Sequence, residues 1–217
     1  MRVLPFCALS VAFALTLACG VNAAPPQSLP NGLQLAPGAK VALAYVRPGT
    51  DWTKYKTILL KPLSIPASAR NGAPEGTVPE FGESYLLPDD AVASLQSDFA
   101  KSMHDVLGQA GFTFVTTPQA NTLIVAPQIA RIQLSAPIEN TRESFTGGGF
   151  TVSKGGGSMT IEAVLADGAT KNVIAEVADR RYGSNIWGMN NSVTNLAQAR
   201  QSFDQWARDL SDRLTAP

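Results

Sequence analysis

"SMTIEAVLADGATKNVIAEVADRRY", residues 158–182, decides the fold. Over residues 158–167 the chain alternates, with Met159, Ile161, Ala163 and Leu165 on one side and Thr160, Glu162 and Val164 on the other. "GATKN", residues 168–172, is a turn, and "VIAEVADRRY", residues 173–182, returns as the hairpin partner. One side of such a hairpin is apolar and needs a cover. The cover is legible downstream. Over residues 193–214 Leu196, Ala199, Phe203, Trp206, Leu210 and Leu214 form one helical stripe. Arg200, Asp204, Arg208 and Asp212 follow each other at four-residue steps on its flank, an arrangement that favours charge pairs along the helix.

Upstream, "ANTLIVAPQIARIQLSAP", residues 120–137, reads as one long or broken strand. Residues 89–110 read as a second amphipathic helix, with Val92, Leu95, Phe99, Met103, Val106 and Ala110 along one stripe. Asp89 and Asp90 stand where a cap and a favourable charge are wanted, and Gly111 where a left-handed residue ends a helix. "FTFV", residues 112–115, is a short strand, and "YKTILLKPLSI", residues 55–65, is an earlier one that Pro62 interrupts. Strand, helix and strand in this order predict a right-handed crossover between parallel strands. The expectation is a two-layer α+β domain over residues 41–215, a mixed and mostly antiparallel sheet with two amphipathic helices on one face.

The N-terminus carries an address. Arg2 followed by the apolar run 3–18 reads as a secretory leader, too short and too rich in small residues for a membrane span of about 20 apolar residues. Two exits follow it. "TLAC" resembles a lipobox, which makes Cys19 a candidate lipid attachment. "VNA" before Ala24 fits ordinary signal-peptidase cleavage, which makes residues 1–23 a signal peptide. Cys7 lies inside the leader, so the folded part has no cysteine and no disulfide. Residues 24–40, "APPQSLPNGLQLAPGAK", read as a flexible tether. The chain has 17 basic and 17 acidic residues, and the leader holds one base and no acid. So balanced a chain lacks the basic patch of a nucleic-acid binder and the polybasic stretch of a membrane-surface protein.

No catalytic constellation stands out. "GGGFTVSKGGGS", residues 147–158, fails as a phosphate loop: Gly155 follows Lys154, and a strand comes next, where a helix is needed. It reads as a flexible connection. His104 is the one histidine, predicted on an exposed helix face. The usual zinc sets lack their members, and a Ser-His-Asp triad would have to use His104, with no Gly-x-Ser-x-Gly elbow to receive it. Acid-only hydrolysis needs just two well-placed carboxylates. No metal or cofactor is expected. The long loop 66–88, with Glu75, Glu80, Glu83, Phe81 and Tyr85, reads as a solvated loop or a binding flap, and Trp187 in "GSNIWGMNN", residues 183–191, closes the core or joins it in recognition. Phe81, Tyr85 and Trp187 are the candidate partner contacts.

"LAYVRPGTDWTKYKTILLKPLSI", "GSMTIEAVLADGATKNVIAEVADRR" and "ARQSFDQWARDLSDRL", in that order, resemble phrases of the bacterial domain-of-unknown-function 3313 family, over about residues 31–214. The resemblance implies an envelope protein of a Gram-negative bacterium. It lends no activity and no catalytic residue. Many members carry a clear lipobox; here Thr16 stands where Leu is expected. The functional expectation is an exported, non-enzymatic interaction or structural domain, periplasmic or anchored to the outer membrane on its periplasmic side. Its partner is an envelope protein or component, and it meets the membrane only through a lipid on Cys19. A periplasmic small-ligand carrier is the alternative, and a carboxylate-only hydrolase the third reading.

Overall fold

The computed structural model describes residues 24–216, apart from 75, 77, 79, 80, 82, 136, 141–150, 154–156, 184–187 and 191. The leader with Cys19, and Trp187, lie outside the described residues. Among the described residues there are eleven strands: β1 (Gln34–Leu35), β2 (Leu43–Val46), β3 (Thr57–Leu60), β4 (Glu83–Ser84), β5 (Thr113–Phe114), β6 (Thr122–Gln133), β7 (Glu139–Asn140), β8 (Thr151–Ser153), β9 (Ser158–Asp167), β10 (Val173–Tyr182) and β11 (Gly188–Asn190). The helices are α1 (Asp89–Gln109) and α2 (Ser192–Thr215).

The hairpin read from residues 158–182 forms β9 and β10 with the expected bounds. It sits inside a seven-stranded sheet of order β1-β2-β10-β9-β6-β3-β5. All pairings from β1 to β6 are antiparallel, and β3 runs parallel to both β6 and β5. The fold is therefore α+β with a mixed, mostly antiparallel sheet, and β3-α1-β5 is the parallel crossover. Both helices share one core with the inward positions Ile58, Leu123, Ile129, Ile161 and Leu165. Phe99 of α1 meets Phe203 of α2 edge to face, centroids 5.4 Å apart.

Asp167 closes the hairpin. Its Oδ1 accepts from the Ala169 and Thr170 amides at 3.0 and 2.8 Å, the local bonding by which Asp shapes turns. Its Oδ2 accepts from Lys54 Nζ at 2.7 Å and the Tyr55 hydroxyl at 3.0 Å, which ties the turn to the lead-in of β3. Gly168 is required there, because a Cβ would lie 2.5 Å from the Gln119 carbonyl oxygen.

Pro127 lies in the middle of β6, where a proline removes a ladder donor. The neighbouring strand explains its tolerance. β3 ends at Leu60 and bends at Pro62, so the proline nitrogen faces a strand that has already left. The ladder resumes through Ser64, whose amide donates to Pro127 O at 3.1 Å and whose carbonyl accepts from Ile129 at 2.8 Å.

Several local expectations are corrected. Residues 24–40 are not a free tether: β1 pairs with β2, Leu33 is fully buried, and the Tyr45 hydroxyl donates to Pro26 O at 3.0 Å. Asn31 also reaches Glu176 at 2.7 Å, so the part of the arm around Asn31 packs on the sheet face opposite the helices. The α1 N-cap is Pro88, with no side-chain capping bond; Asp89 pairs with Arg70 at 2.6 Å instead. Val106 packs against the core half-buried, but Ala110 is exposed and the fully buried Leu107 ends the stripe, while Gly111 takes the expected left-handed conformation at φ +90°. On α2, Arg200 pairs with Asp98 of α1 and Asp212 with Lys40; among the described residues no ion pair joins the members of that flank to each other. The glycine-rich stretch is not merely a connection, since β8 pairs with β11.

Leu33→Ala tests the docked arm. A loss of about 2–4 kcal/mol in urea unfolding is expected, as for other buried leucines. A free tether would show almost none.

Candidate functional site

The sheet floor beneath α2 is lined by small side chains. Ala44 of β2 pairs with Val177 of β10, Val177 with Ala163 of β9, and Ala163 with Pro127 of β6. These four residues stand at one register level on neighbouring strands. With strands ~4.8 Å apart, the row runs about 14 Å across the sheet. The next row, Val46, Ala175, Leu165 and Val125, is only slightly bulkier. Large side chains at these positions would fill the layer between sheet and helix. Instead a cavity of about 540 Å³ remains.

Its walls are largely apolar. Phe99 and Met103 come from α1, Trp206 and Leu210 from α2, and Trp52 from the β2–β3 connection. Residues 36–41, "APGAKV", run along its mouth beside the last turns of α2. A volume near 500 Å³ with apolar walls and a few polar groups is typical of small-molecule sites. A second cavity of about 270 Å³ lies between the first turns of the helices, bounded by Leu95, Met159 and Ala199.

The acids at the larger cavity are engaged. Asp179 of β10 accepts from the Trp206 indole at 2.8 Å and the Ala42 amide at 2.8 Å. Arg181 bridges Asp179 and Asp209, each at 2.5 Å. Gln205 donates to the other oxygen of Asp209 at 3.1 Å. At the rim Lys40 Nζ meets Asp212 at 2.6 Å. Carboxylates held this way are structural ligands of neighbouring donors. Glu162, whose carboxyl burial pushes up, stands at the register level of Ala178 and Gln128, on the opposite face of the sheet from Asp179.

The predicted contact residues separate. Phe81 is 88% exposed at the tip of the 66–88 excursion, beside the exposed Val78. Tyr85 is half-buried and packs against the core. The excursion is not a structureless loop. A short 3-10 turn, Ala67–Ala69, opens it, Asn71 bridges to Leu86, and β4 pairs with β7. Gly72 then accepts from the Leu134 amide at 2.8 Å, which fixes its base to β6. His104 is exposed on α1 and lies against Phe114, centroids 3.7 Å apart. Among the described residues no cluster of three or more metal-ligating side chains occurs, and no helix is long and apolar enough to cross a membrane.

The model of the family described as "Protein of unknown function (DUF3313)" matches residues 31–210. The chain belongs to this family. Its first matched residues include the docked arm, in keeping with β1 as part of the DUF3313 fold. No curated protein matches the sequence. Solved structures with a similar chain path include a PelC variant, a dodecamer from Paraburkholderia phytofirmans, at 12% identity and TM-score 0.39, covering 77% of this chain and 95% of that one. A DUF330 protein from Xanthomonas campestris matches at 13% identity and TM-score 0.40, covering 76% of this chain and 86% of that one. A neuraminyllactose-binding hemagglutinin homologue from Helicobacter pylori matches at 10% identity and TM-score 0.39, over 78% and 89%. Likeness at this level lends the DUF3313 domain no function.

The cavity was not legible because its floor is assembled from four strands. The available signal was the alanines at inward positions, Ala163 among them. The Asp179–Trp206 contact, 27 residues apart, left no pattern to read.

The Asp167 turn gives a pH-dependent prediction. Burial alone would raise its carboxyl, but bonds from Lys54, Thr170 and Tyr55 outweigh burial and hold it well below the usual carboxylate range. Its stabilising contribution is complete above the unfolded value of about 3.9 and is lost as pH falls below it toward the folded value. Asp167→Asn should therefore lower stability at neutral pH and flatten the acid limb of the stability curve below about pH 4, as read by urea midpoints across pH.

Proposed function

We propose that this DUF3313 protein is an exported, non-enzymatic envelope protein that binds a small apolar ligand in the cavity between its sheet and α2. The cavity of about 540 Å³ carries this reading. Small side chains keep it open, and the polar groups of the Asp179 network are occupied by each other. Export rests on the leader at residues 1–23, with the protein in the periplasm or held at the outer membrane by a lipid on Cys19. The intact mass of the mature chain from its host should begin at Ala24 or at a lipidated Cys19; an unprocessed Met1 would overturn export.

The ligand reading is tested with a neutral solvatochromic dye such as N-phenylnaphthylamine. The wild-type protein should raise its fluorescence saturably. Ala163→Phe places a ring in the cavity and should weaken binding at least about tenfold while circular dichroism stays native. Dye binding unchanged by Ala163→Phe would place the dye elsewhere and remove the reading.

A second reading, docking on an envelope protein, is favoured by the exposed Phe81. A photo-crosslinker at position 81 should then capture one defined envelope protein in the host, and a smear or a blank would count against it.

A further inference from the structure

We infer that the ligand is an amphiphile, an alkyl chain bearing an anionic head, with the head held at Trp52 and Arg213. This rests on the cavity reading and names the chemistry it selects. Of the charged groups lining the cavity, Asp179, Asp209 and Asp212 have cationic partners, and Lys40 is spent on Asp212. Two donors are left over. The Trp52 indole nitrogen is buried, in a residue only 6% exposed, and has no hydrogen-bond partner among the described residues. An indole N–H can only donate, and leaving it unmet in the interior is costly.

Arg213, exposed at the end of α2, has no carboxylate within ion-pair distance among the described residues, and its guanidinium carbon stands 4.9 Å from the centre of the Trp52 ring. Both residues line the cavity. A buried unmet indole N–H beside a guanidinium with no carboxylate partner among the described residues selects a negatively charged acceptor. The row of small residues from Ala44 to Pro127, about 14 Å long at ~4.8 Å per strand, suits an extended chain better than a compact ring system. Arg213 at the rim lets the head keep contact with water while the chain lies in the cavity.

The shared chemistry is an alkyl chain with a carboxylate or phosphate head, and the test separates the two sources. Laurate, lauryl phosphate and lauryl alcohol are titrated into the purified full-length protein, with displacement of the neutral dye as readout. At least one of the two anions should bind about tenfold or more tightly than the alcohol, as one hydrogen bond to a charged group predicts. The preferred anion identifies the head. Trp52→Phe keeps the ring and removes the donor; Arg213→Gln removes the charge at an exposed position where folding is not at stake. Each should erase most of the preference while leaving alcohol binding within about twofold. Equal binding of all three amphiphiles, or an anion preference that survives Arg213→Gln, would overturn the inference and leave the cavity reading standing. If neither dye nor any amphiphile binds, the cavity reading itself falls, and the inference with it.

Discussion

The Asp179 carboxylate sets the distance between the two layers. It projects from β10 into the space under α2, and the Trp206 indole comes down to meet it at 2.8 Å. Arg181 then links the same carboxylate to Asp209, one turn further along the helix. Buried charges are costly to desolvate, and an apolar replacement often packs at least as well. Here the network acts as a strut. It fixes the height and rotation of α2 over a floor of alanines and valines that would otherwise let the helix settle closer. The space under α2 follows from the pairing of a rigid polar support with undersized neighbours.

The same contrast explains why the layers differ along their length. Away from β2, Phe203, Leu107 and Leu123 are fully buried, and Phe99 meets Phe203 edge to face. Toward β2 the inward residues shrink to Ala44, Ala163 and Ala175, and the chain supplies Trp52 and the 36–41 segment as walls. A core that was only structural would gain about 0.8 kcal/mol for each further methylene it buried. This chain leaves that gain unused beside Trp52 and Trp206.

Most of the architecture could be read along the chain, because its signals are local. The alternation in 158–165, the stripe from Leu196 to Leu214 and the glycine after α1 each follow from nearest neighbours in one element. What escaped depends on partners far away in sequence. Pro- and Gly-rich residues 24–40 look solvated, yet Leu33 finds a buried site and Asn31 finds Glu176, 145 residues on. Asp89 looks like a cap, yet it stands inside the first turn behind Pro88 and pairs with Arg70. Of the candidate contacts, Phe81 is at the surface as a recognition residue must be, whereas Tyr85 turned inward because the base of its loop is bonded to β6. Trp52 attracted no notice in the sequence, since an unmet donor is a property of surroundings and not of residue type.

The two outermost strands of the sheet, β1 and β5, are each only two residues long. Exposed backbone on a long flat border invites another chain to add itself, and short borders are a common protection. The docked arm and the two-residue β5 leave each outermost strand only two residues on which a further strand could grow. A protein concentrated in a crowded compartment, or lined up on a membrane, is thereby shielded from polymerising edge to edge. Whatever company it keeps must be chosen by side chains on its faces and loops.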